Sequence, residues 1–360
     1  MQLQKLIGTV IYTAAGKVGG MVTIKDVAQD AGVSVGTVSN VINGGNVSEE
    51  RRSRVEASIQ KLGYQVNGLA RGMRTQRTDY VVVMLPNITN PFYNMLLRDL
   101  EKALTDIGKQ LVLCISDGDH KKEIKYIEMA KYNKVDGVIG VTFSNVEKYI
   151  EDSAAYVSIE RCLPGVPCVS CDNYGGGWMA ADSLIRRGAK NLLFFQTISS
   201  VENEVRKRRY GFEACCEAND VAYGSVSFSE QQVPSIYSSF SARNLINSVL
   251  RAHMENHGKG ARPDGIFAGT DHLAVVIMEE LCGMGLRVPE DVQVIGYDGL
   301  KMLNTGRQLV SSIYQNTELI AKTSVDCLER LLNGEKVDNI IDLPVTFIEG
   351  GSTLPLTEEK

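Results

Sequence analysis

Residues 23–43 constrain this chain more than any other stretch. They read Thr-Ile-Lys-Asp-Val-Ala-Gln-Asp-Ala-Gly-Val-Ser-Val-Gly-Thr-Val-Ser-Asn-Val-Ile-Asn, the pattern of two short helices joined by a tight turn. Thr23 can cap the first helix, and Asp26 stands three residues on, the capping-box spacing with Asp in the Glu/Gln place. Gly32 occupies the point where the first helix must end in a left-handed residue. Ser34 is placed to cap the second helix, with Val38, Val41 and Ile42 as its buried stripe. Val35, Gly36, Thr37, Ser39, Asn40 and Asn43 are left on or near the outer face. A helix that is small and polar at its N-terminal end can enter a DNA major groove. Asn40 can pair with adenine through two hydrogen bonds, and Thr37 can meet a thymine methyl or a phosphate. A helical hairpin with a solvated outer face satisfies the same spacing.

Charge division bears on that choice. The chain of 360 residues carries net charge −5, which suits a DNA binder poorly as a whole. Residues 21–78 hold eight Lys/Arg and five Asp/Glu, or +3, whereas residues 79–360 hold 28 and 38, or −10. The basic balance is confined to the N-terminal module, as expected if only that part meets phosphates. No apolar run reaches the roughly 18 residues of a membrane span, so no membrane partner is expected. The eight cysteines suit a reducing cytosol, Cys114 and Cys282 as core residues. The lone Cys168-x-x-Cys171 pair lies in a predicted strand, where residues three apart face opposite ways, so neither metal nor cofactor is expected.

After the recognition helix, Ser48 caps a third helix with Val55, Ile59 and Leu62 as its stripe, ended by Gly63. Residues 65–78 are a linker rich in Arg and Gly, and each internal Gly costs about 1 kcal/mol of helix stability relative to Ala. From Tyr80 the texture changes. Apolar runs at 80–85, 111–116, 137–141, 192–196, 265–268 and 292–297 alternate with amphipathic helical patterns. Such alternation indicates parallel sheets with helices on both faces, and some 270 residues of it exceed one core. Two α/β lobes are expected, with ligands at the carboxyl ends of their strands. No Gly-x-x-x-x-Gly-Lys-Ser/Thr phosphate loop or Gly-x-Ser-x-Gly elbow appears, and no enzyme is expected.

The stretch 23–43 resembles the headpiece of the lactose-repressor (LacI/GalR) family of bacterial transcription regulators. It meets every fixed position of Thr-Ile-x-Asp-Val-Ala-x-x-Ala-Gly-Val-Ser-x-x-Thr-Val-Ser-x-Val-Ile-Asn. The likeness continues through Asn90-Pro91-Phe92-Tyr93, Val135-Asp136-Gly137, Asp172-Asn173-Tyr174, Arg208 to Phe212, and Gly296-Tyr297-Asp298, covering about 21–350. It implies an all-α helix-turn-helix headpiece plus hinge helix, followed by a two-lobed α/β core like that of periplasmic binding proteins. The implied division is a disordered extension at 1–20, headpiece at 21–64, hinge at 65–78, core at 79–345 and tail at 346–360. The chain would cross between lobes three times, with lobe one at about 79–172 plus 315–345 and lobe two at about 173–314.

The resemblance implies a DNA-facing set of Thr23, Ser34, Val35, Gly36, Thr37, Ser39, Asn40 and Asn43. Asn67, Ala70 and Met73 stand in the hinge, Met73 where the family usually has a Leu wedge. Asn40 stands where many members carry Arg. That exchange favours adenine over guanine. It implies an effector set of Phe92, Glu160, Arg208, Asp271 and Gln315, with Glu160 in place of the usual Asp. The function implied is that of a cytoplasmic homodimeric repressor of carbohydrate-related genes. It would bind a pseudopalindromic operator and answer to a small molecule, a sugar or a derivative, between its lobes. A protein corepressor in place of the small effector, or a sugar-binding protein or enzyme without a DNA role, are the alternatives.

Overall fold

The computed structural model describes residues 22–42, 44–64, 78–150, 155–229, 240–255, 262–302 and 305–356. The chain divides into two compact units, 1–76 and 77–360. The expected extension at 1–20, Asn43, and the hinge residues Asn67, Ala70 and Met73 lie outside the described residues.

The first unit packs three helices, α1 (Ile24–Ala31), α2 (Val35–Ile42) and α3 (Glu49–Leu62). Local signals set their ends. The Asp26 carboxylate accepts from both the Thr23 amide and the Thr23 hydroxyl at 2.7 Å. Gly32 and Gly63 end α1 and α3 at φ 62° and 63°, where a side chain would be strained. The Ser34 hydroxyl accepts from the Thr37 amide at 3.1 Å and so caps α2. Val27, Ala28, Ala31, Val38, Val41 and Val55 form the core, and Ser58 donates across it to the Val27 carbonyl at 3.3 Å.

The second unit holds two six-stranded sheets. The first is parallel in the order β11-β5-β4-β3-β1-β2, built from β1 (Tyr80–Leu85), β2 (Gln110–Ile115), β3 (Gly137–Gly140), β4 (Ala155–Ile159), β5 (Cys168–Cys171) and β11 (Ile340–Leu343). The second runs β12-β10-β9-β8-β6-β7, from β6 (Asn191–Ile198), β7 (Ala222–Ser229), β8 (Gly265–Ala268), β9 (Gln293–Asp298), β10 (Ser311–Tyr314) and β12 (Thr346–Ile348), with only β12 antiparallel. Central strands buried on both faces read as unbroken apolar runs, as in Val81–Leu85. The chain passes between sheets after β5, after β10 and between β11 and β12.

The helices that flank the strand ends carry side-chain caps. Asn90 caps α4 (Pro91–Asp106), Asp172 caps α7 (Asn173–Arg186), Thr270 caps α10 (Asp271–Gly283) and Asn316 caps α11 (Thr317–Leu332). The remaining helices are α5 (His120–Tyr132), α6 (Glu147–Ile150), α8 (Lys207–Ala218) and α9 (Phe240–Glu255).

Residues 346–360 were expected as a tail, and their first part is not one. β12 pairs with β10, the Ser352 hydroxyl accepts from the Ser311 amide at 2.8 Å, and the Val294 amide donates to the Ser352 carbonyl at 2.8 Å. The outer edge of β10 would otherwise carry unpaired backbone groups in a buried setting, and this segment satisfies them.

The point where the chain enters the core is clamped. Asp136 accepts from the Thr78 amide at 2.7 Å, the Asp79 amide at 3.3 Å and the Lys109 ammonium at 2.5 Å. Burial opposes ionisation of Asp136, but Lys109 and the Thr78 amide outweigh it and hold the carboxyl below its ordinary range. Thr78 and Asp79 are thereby tied to the residue before β3 and to the turn before β2.

Candidate functional site

In the first unit, α2 presents Val35, Gly36 and Asn40 exposed and Thr37 half-buried. The Ser34 and Thr37 hydroxyls lie 3.0 Å apart at the start of the helix, and Thr23 is exposed at the start of α1. This face offers an amide able to make two hydrogen bonds, small neighbours that allow close approach, and hydroxyls at a helix N-terminus, where phosphate is favoured. Ser39, expected on or near the outer face, is buried. At 3.6 residues per turn it falls only about 60° from Ile42, beside the apolar stripe instead of opposite it.

In the second unit, the residues that follow the fourth strand of each sheet correspond. Glu160 follows β4 and Asp298 ends β9, both fully buried acids with positive φ, 60° and 126°. Non-glycine residues in such conformations cost about 1–3 kcal/mol and persist where surrounding structure imposes them. Glu160 accepts from the Cys171 amide at 2.9 Å, the Ser170 hydroxyl at 3.1 Å and the Asn173 amide group at 2.7 Å. Asn173 passes the network on, its carbonyl accepting from Arg208 Nε at 2.7 Å. Arg208 Nη1 donates to the Gly269 carbonyl at 2.7 Å, and the guanidinium lies 3.5 Å from the centre of the Tyr297 ring. Asp298 accepts from Gln315 Nε2 at 2.8 Å. Glu160, Asn173, Arg208, Asp298 and Gln315 thus line the carboxyl ends of strands from both sheets, where open α/β sheets bind ligands.

Close helix packing places Arg208. α7 and α8 cross where Gly177 faces the Arg208 carbonyl and Gly211 faces the Tyr174 carbonyl, each too near to admit a Cβ. Only glycine permits that approach, which sets Arg208 between Asn173 and Gly269.

Three buried carboxyls surround this one guanidinium. Burial pushes Glu160 up, with Arg208 opposing. Burial likewise carries Asp271 up to about 7, against the Ser312 hydroxyl and the Leu300 amide. Asp298 is raised well above the carboxylate range by burial and by the neighbouring Asp271 charge.

Two expected effector residues are placed differently from the expectation. Asp271 is buried and engaged: it accepts from the Ser312 hydroxyl at 2.5 Å and the Leu300 amide at 2.6 Å, while Thr270 caps the helix. Asp271 therefore braces the loop after β9. Phe92 is buried in the main apolar cluster, and Tyr93, edge-on to it at 5.6 Å, is the half-buried ring. In the sequence Asn173 and Asp298 stand out only within the family likeness, and their adjacency to strand ends is the signal that marks them. Among the described residues no group of three or more His, Cys, Asp or Glu could hold a metal ion, and no helix is long and apolar enough to cross a membrane.

Comparison with known proteins agrees with both halves. The model for bacterial regulatory proteins, lacI family, matches residues 23–67, and that for a periplasmic binding protein-like domain matches residues 181–353. The chain is 32% identical to the ribose operon repressor of Bacillus subtilis over 331 residues, spanning 91% of this chain and 97% of that one. It is 30% identical to the sucrose operon repressor of Streptococcus mutans over 334 residues, 91% and 98% of the two chains. Among solved structures, a periplasmic binding protein/LacI transcriptional regulator of Alkaliphilus metalliredigens complexed with D-xylulofuranose is 27% identical, with a TM-score of 0.66 over 77% of this chain and 100% of that one. The lac repressor dimer bound to operator and an anti-inducer shares the fold at 21% identity, with a TM-score of 0.78 over 93% of this chain and 100% of that one.

Proposed function

Because the chain belongs to the lacI family of bacterial regulatory proteins, we propose that it is a cytoplasmic homodimeric repressor of carbohydrate-related genes, controlled by a sugar or sugar derivative. The observation that carries this reading is the Arg208–Asn173–Glu160 network. It joins the two sheets of the core through one guanidinium, in a chain that also bears a helix-turn-helix. The relatives named for sucrose and ribose operons supply the ligand class.

Two headpieces, taken as 21–64 in each subunit, bind the halves of a pseudopalindromic operator. Val35, Gly36 and Asn40 read base edges; Thr23, Ser34, Thr37 and Asn43 contact the backbone. Asn67, Ala70 and Met73 lie in the hinge, 65–78, with Met73 as a minor-groove wedge. Asn40→Ala is expected to cost about 1–3 kcal/mol of operator affinity and to relax one operator position. Binding to a library of single-base operator variants checks this, and a uniform loss across the library would remove Asn40 as a base reader.

The effector binds between the sheets, against Glu160, Arg208 and Gln315, with Asn173 and Asp298 added and Asp271 bracing the loop behind them. It changes operator affinity only through its differential affinity for two lobe arrangements. The contacts it biases include the Glu204 amide on the Glu160 carbonyl, 3.0 Å, and the Ser199 hydroxyl on the Phe143 carbonyl, 3.3 Å. The clamp of Asp136 on Thr78 carries the change to the linker. The compound is bound and released unaltered.

The subunits meet through the first sheet. Edge strand β2 leaves Leu113 exposed and Leu111 half-buried beside Asn94, Leu97, Arg98 and Glu101 of α4. An apolar edge of this kind is a template for pairing. Leu113→Asp is expected to shift the protein to monomer at micromolar concentration in analytical ultracentrifugation, and to weaken operator binding at least tenfold. A dimer of undiminished stability would place the interface elsewhere.

A further inference from the structure

Two thiols bracket the turn that follows Glu160, and we infer that Cys162 and Cys168 join in a reversible disulfide, formed by hydrogen peroxide, that uncouples the effector crevice from DNA binding. The disulfide stands on the geometry of this turn; its consequence for control rests on the reading above.

The sequence pairs Cys168 with Cys171, but β5 sends their side chains to opposite faces. The partner supplied by the fold is Cys162. A turn at 163–166 folds the chain back, bridged at Leu163 and Val166, with the Val166 amide donating to the Leu163 carbonyl at 3.2 Å. Across the mouth of this turn the Cys168 thiol donates to Cys162 Sγ, and the Cys162 thiol donates to the Glu204 carboxylate. Cys168 is fully buried and Cys162 half-buried, so an oxidant reaches Cys162 first.

The groups for the reaction are in place. Glu204 takes the Cys162 proton, and the Lys207 ammonium favours the thiolate. The thiolate attacks hydrogen peroxide and breaks its O–O bond. One oxygen stays on sulfur as the sulfenic acid; the other leaves as hydroxide and becomes water with the proton that Glu204 holds. The Cys168 sulfur then displaces the sulfenic hydroxyl, which leaves with the Cys168 proton as a second water, and the S–S bond forms. Two thiols lose two electrons and one peroxide gains them. Burial pushes the Cys162 thiol up, against Cys168 and Lys207, and pushes Cys168 up as well. A scarce thiolate reacts slowly, so the pair stays reduced at basal peroxide and closes when peroxide is sustained.

Closure acts on the crevice. Disulfide sulfurs lie about 2.0 Å apart, inside any thiol–thiol hydrogen bond, so one end must move. Cys168 is fixed in β5, which pairs with β4, and its amide donates to the Asn339 carbonyl at 2.9 Å. The shift therefore falls on residues 160–162. There Glu160 sits at φ 60°, its carbonyl accepting from the Glu204 amide at 3.0 Å. Oxidation removes the Cys162 donor from Glu204 and draws the Glu160 carbonyl from the Glu204 amide. Both contacts join this loop of the first sheet to the turn Glu204–Arg206, which follows β6 of the second. A sugar that acts through them then no longer shifts operator affinity.

The test uses full-length protein, reduced with dithiothreitol or treated with hydrogen peroxide. Each sample is alkylated with N-ethylmaleimide under denaturing conditions and digested with trypsin. The tryptic peptide 162–186 holds Cys162, Cys168 and Cys171. Reduced protein is expected to give this peptide with every cysteine alkylated. Oxidised protein is expected to give it with Cys171 alone alkylated and two hydrogens lost between Cys162 and Cys168. Operator binding is followed by anisotropy on the native samples with D-ribose, sucrose and D-glucose. The sugar that acts on reduced protein is expected to change the dissociation constant at least tenfold, and less than about twofold after oxidation, with dithiothreitol restoring the change. Cys162→Ala, at the half-buried position, is expected to keep the full sugar response in peroxide. Full alkylation after peroxide, or a link made by Cys171, overturns the disulfide. A Cys162–Cys168 link with an undiminished sugar response overturns the control, as does a Cys162→Ala protein that peroxide still silences. Reduced protein that answers to none of the sugars overturns the sugar reading and the control together, while the peptide separately decides the disulfide.

Discussion

Arg208→Ala is expected to abolish the response to effector, while operator affinity without effector stays within about twofold of the unaltered protein. The two halves of that statement have separate causes. Arg208 sits between Asn173, the Gly269 carbonyl and the Tyr297 ring, and is the guanidinium at the centre of three buried carboxyls. Removing one partner from a buried charged network costs about 3–5 kcal/mol, because the groups left behind cannot reach water. The ligand would lose its charged donor, and the crevice would lose its shape. The helix-turn-helix lies in the separate unit 1–76, and independent sites add to within about 0.5 kcal/mol, near twofold in affinity. Arg208→Lys keeps the charge but cannot donate in two fixed directions, and it is expected to lose the response too. Fluorescence anisotropy on labelled operator, with and without sugar, reads both quantities; a variant that still responds would move the effector site.

Gly177→Ala is expected to destabilise the core by about 2 kcal/mol or more, at the upper part of the overpacking range. Helix propensity alone predicts the opposite sign, since Ala is better than Gly inside a helix by about 1 kcal/mol. The Cβ, however, would fall on the Arg208 carbonyl, and a backbone atom of a packed helix cannot swing aside as a side-chain tip can. Gly283, at the end of α10, is the control: a Cβ there meets nothing within 4 Å, so Gly283→Ala should be neutral or stabilising. Calorimetry of the two variants should therefore give melting shifts of opposite or clearly unequal sign. Two variants that melt together would mean that α7 and α8 can part without cost. Because Gly177 sets the place of Arg208, its variant should also weaken sugar binding, which Gly283→Ala should not.

Much of this was visible in the sequence where the cause is local. Thr23 pairs with Asp26 and Ser34 with Thr37, each three residues apart, Gly32 bonds back to Ala28 and Gln29, and that local spacing is enough to set the helix ends. The parallel sheets were visible because strands buried on both faces have no alternative composition. What escaped depends on neighbours distant in sequence. Ser39 looked solvent-facing as a polar residue, but the apolar stripe of α2 is wide enough to include it. Phe92 and Tyr93 are adjacent in the first turn of α4, and only the packed cluster decides which ring is covered. Asp271 looked free at the head of a helix, yet Leu300 and Ser312 claim it from 29 and 41 residues away. The three residues of β12 are too few to show a period, so nothing in the sequence separates this edge strand from a tail. The correspondence of Glu160 and Asp298 appears only when the two sheets are set side by side.

The most direct test of the account is operator affinity measured with and without sugar. Sites selected from random DNA by the full-length protein would be titrated by anisotropy, alone and with the sugar that binds most tightly. Allosteric couplings are typically about 1–3 kcal/mol, so the predicted result is a pseudopalindromic site whose dissociation constant changes at least tenfold when the sugar saturates. Equal affinity for selected and scrambled DNA, or an unchanged constant at saturating sugar, would contradict it.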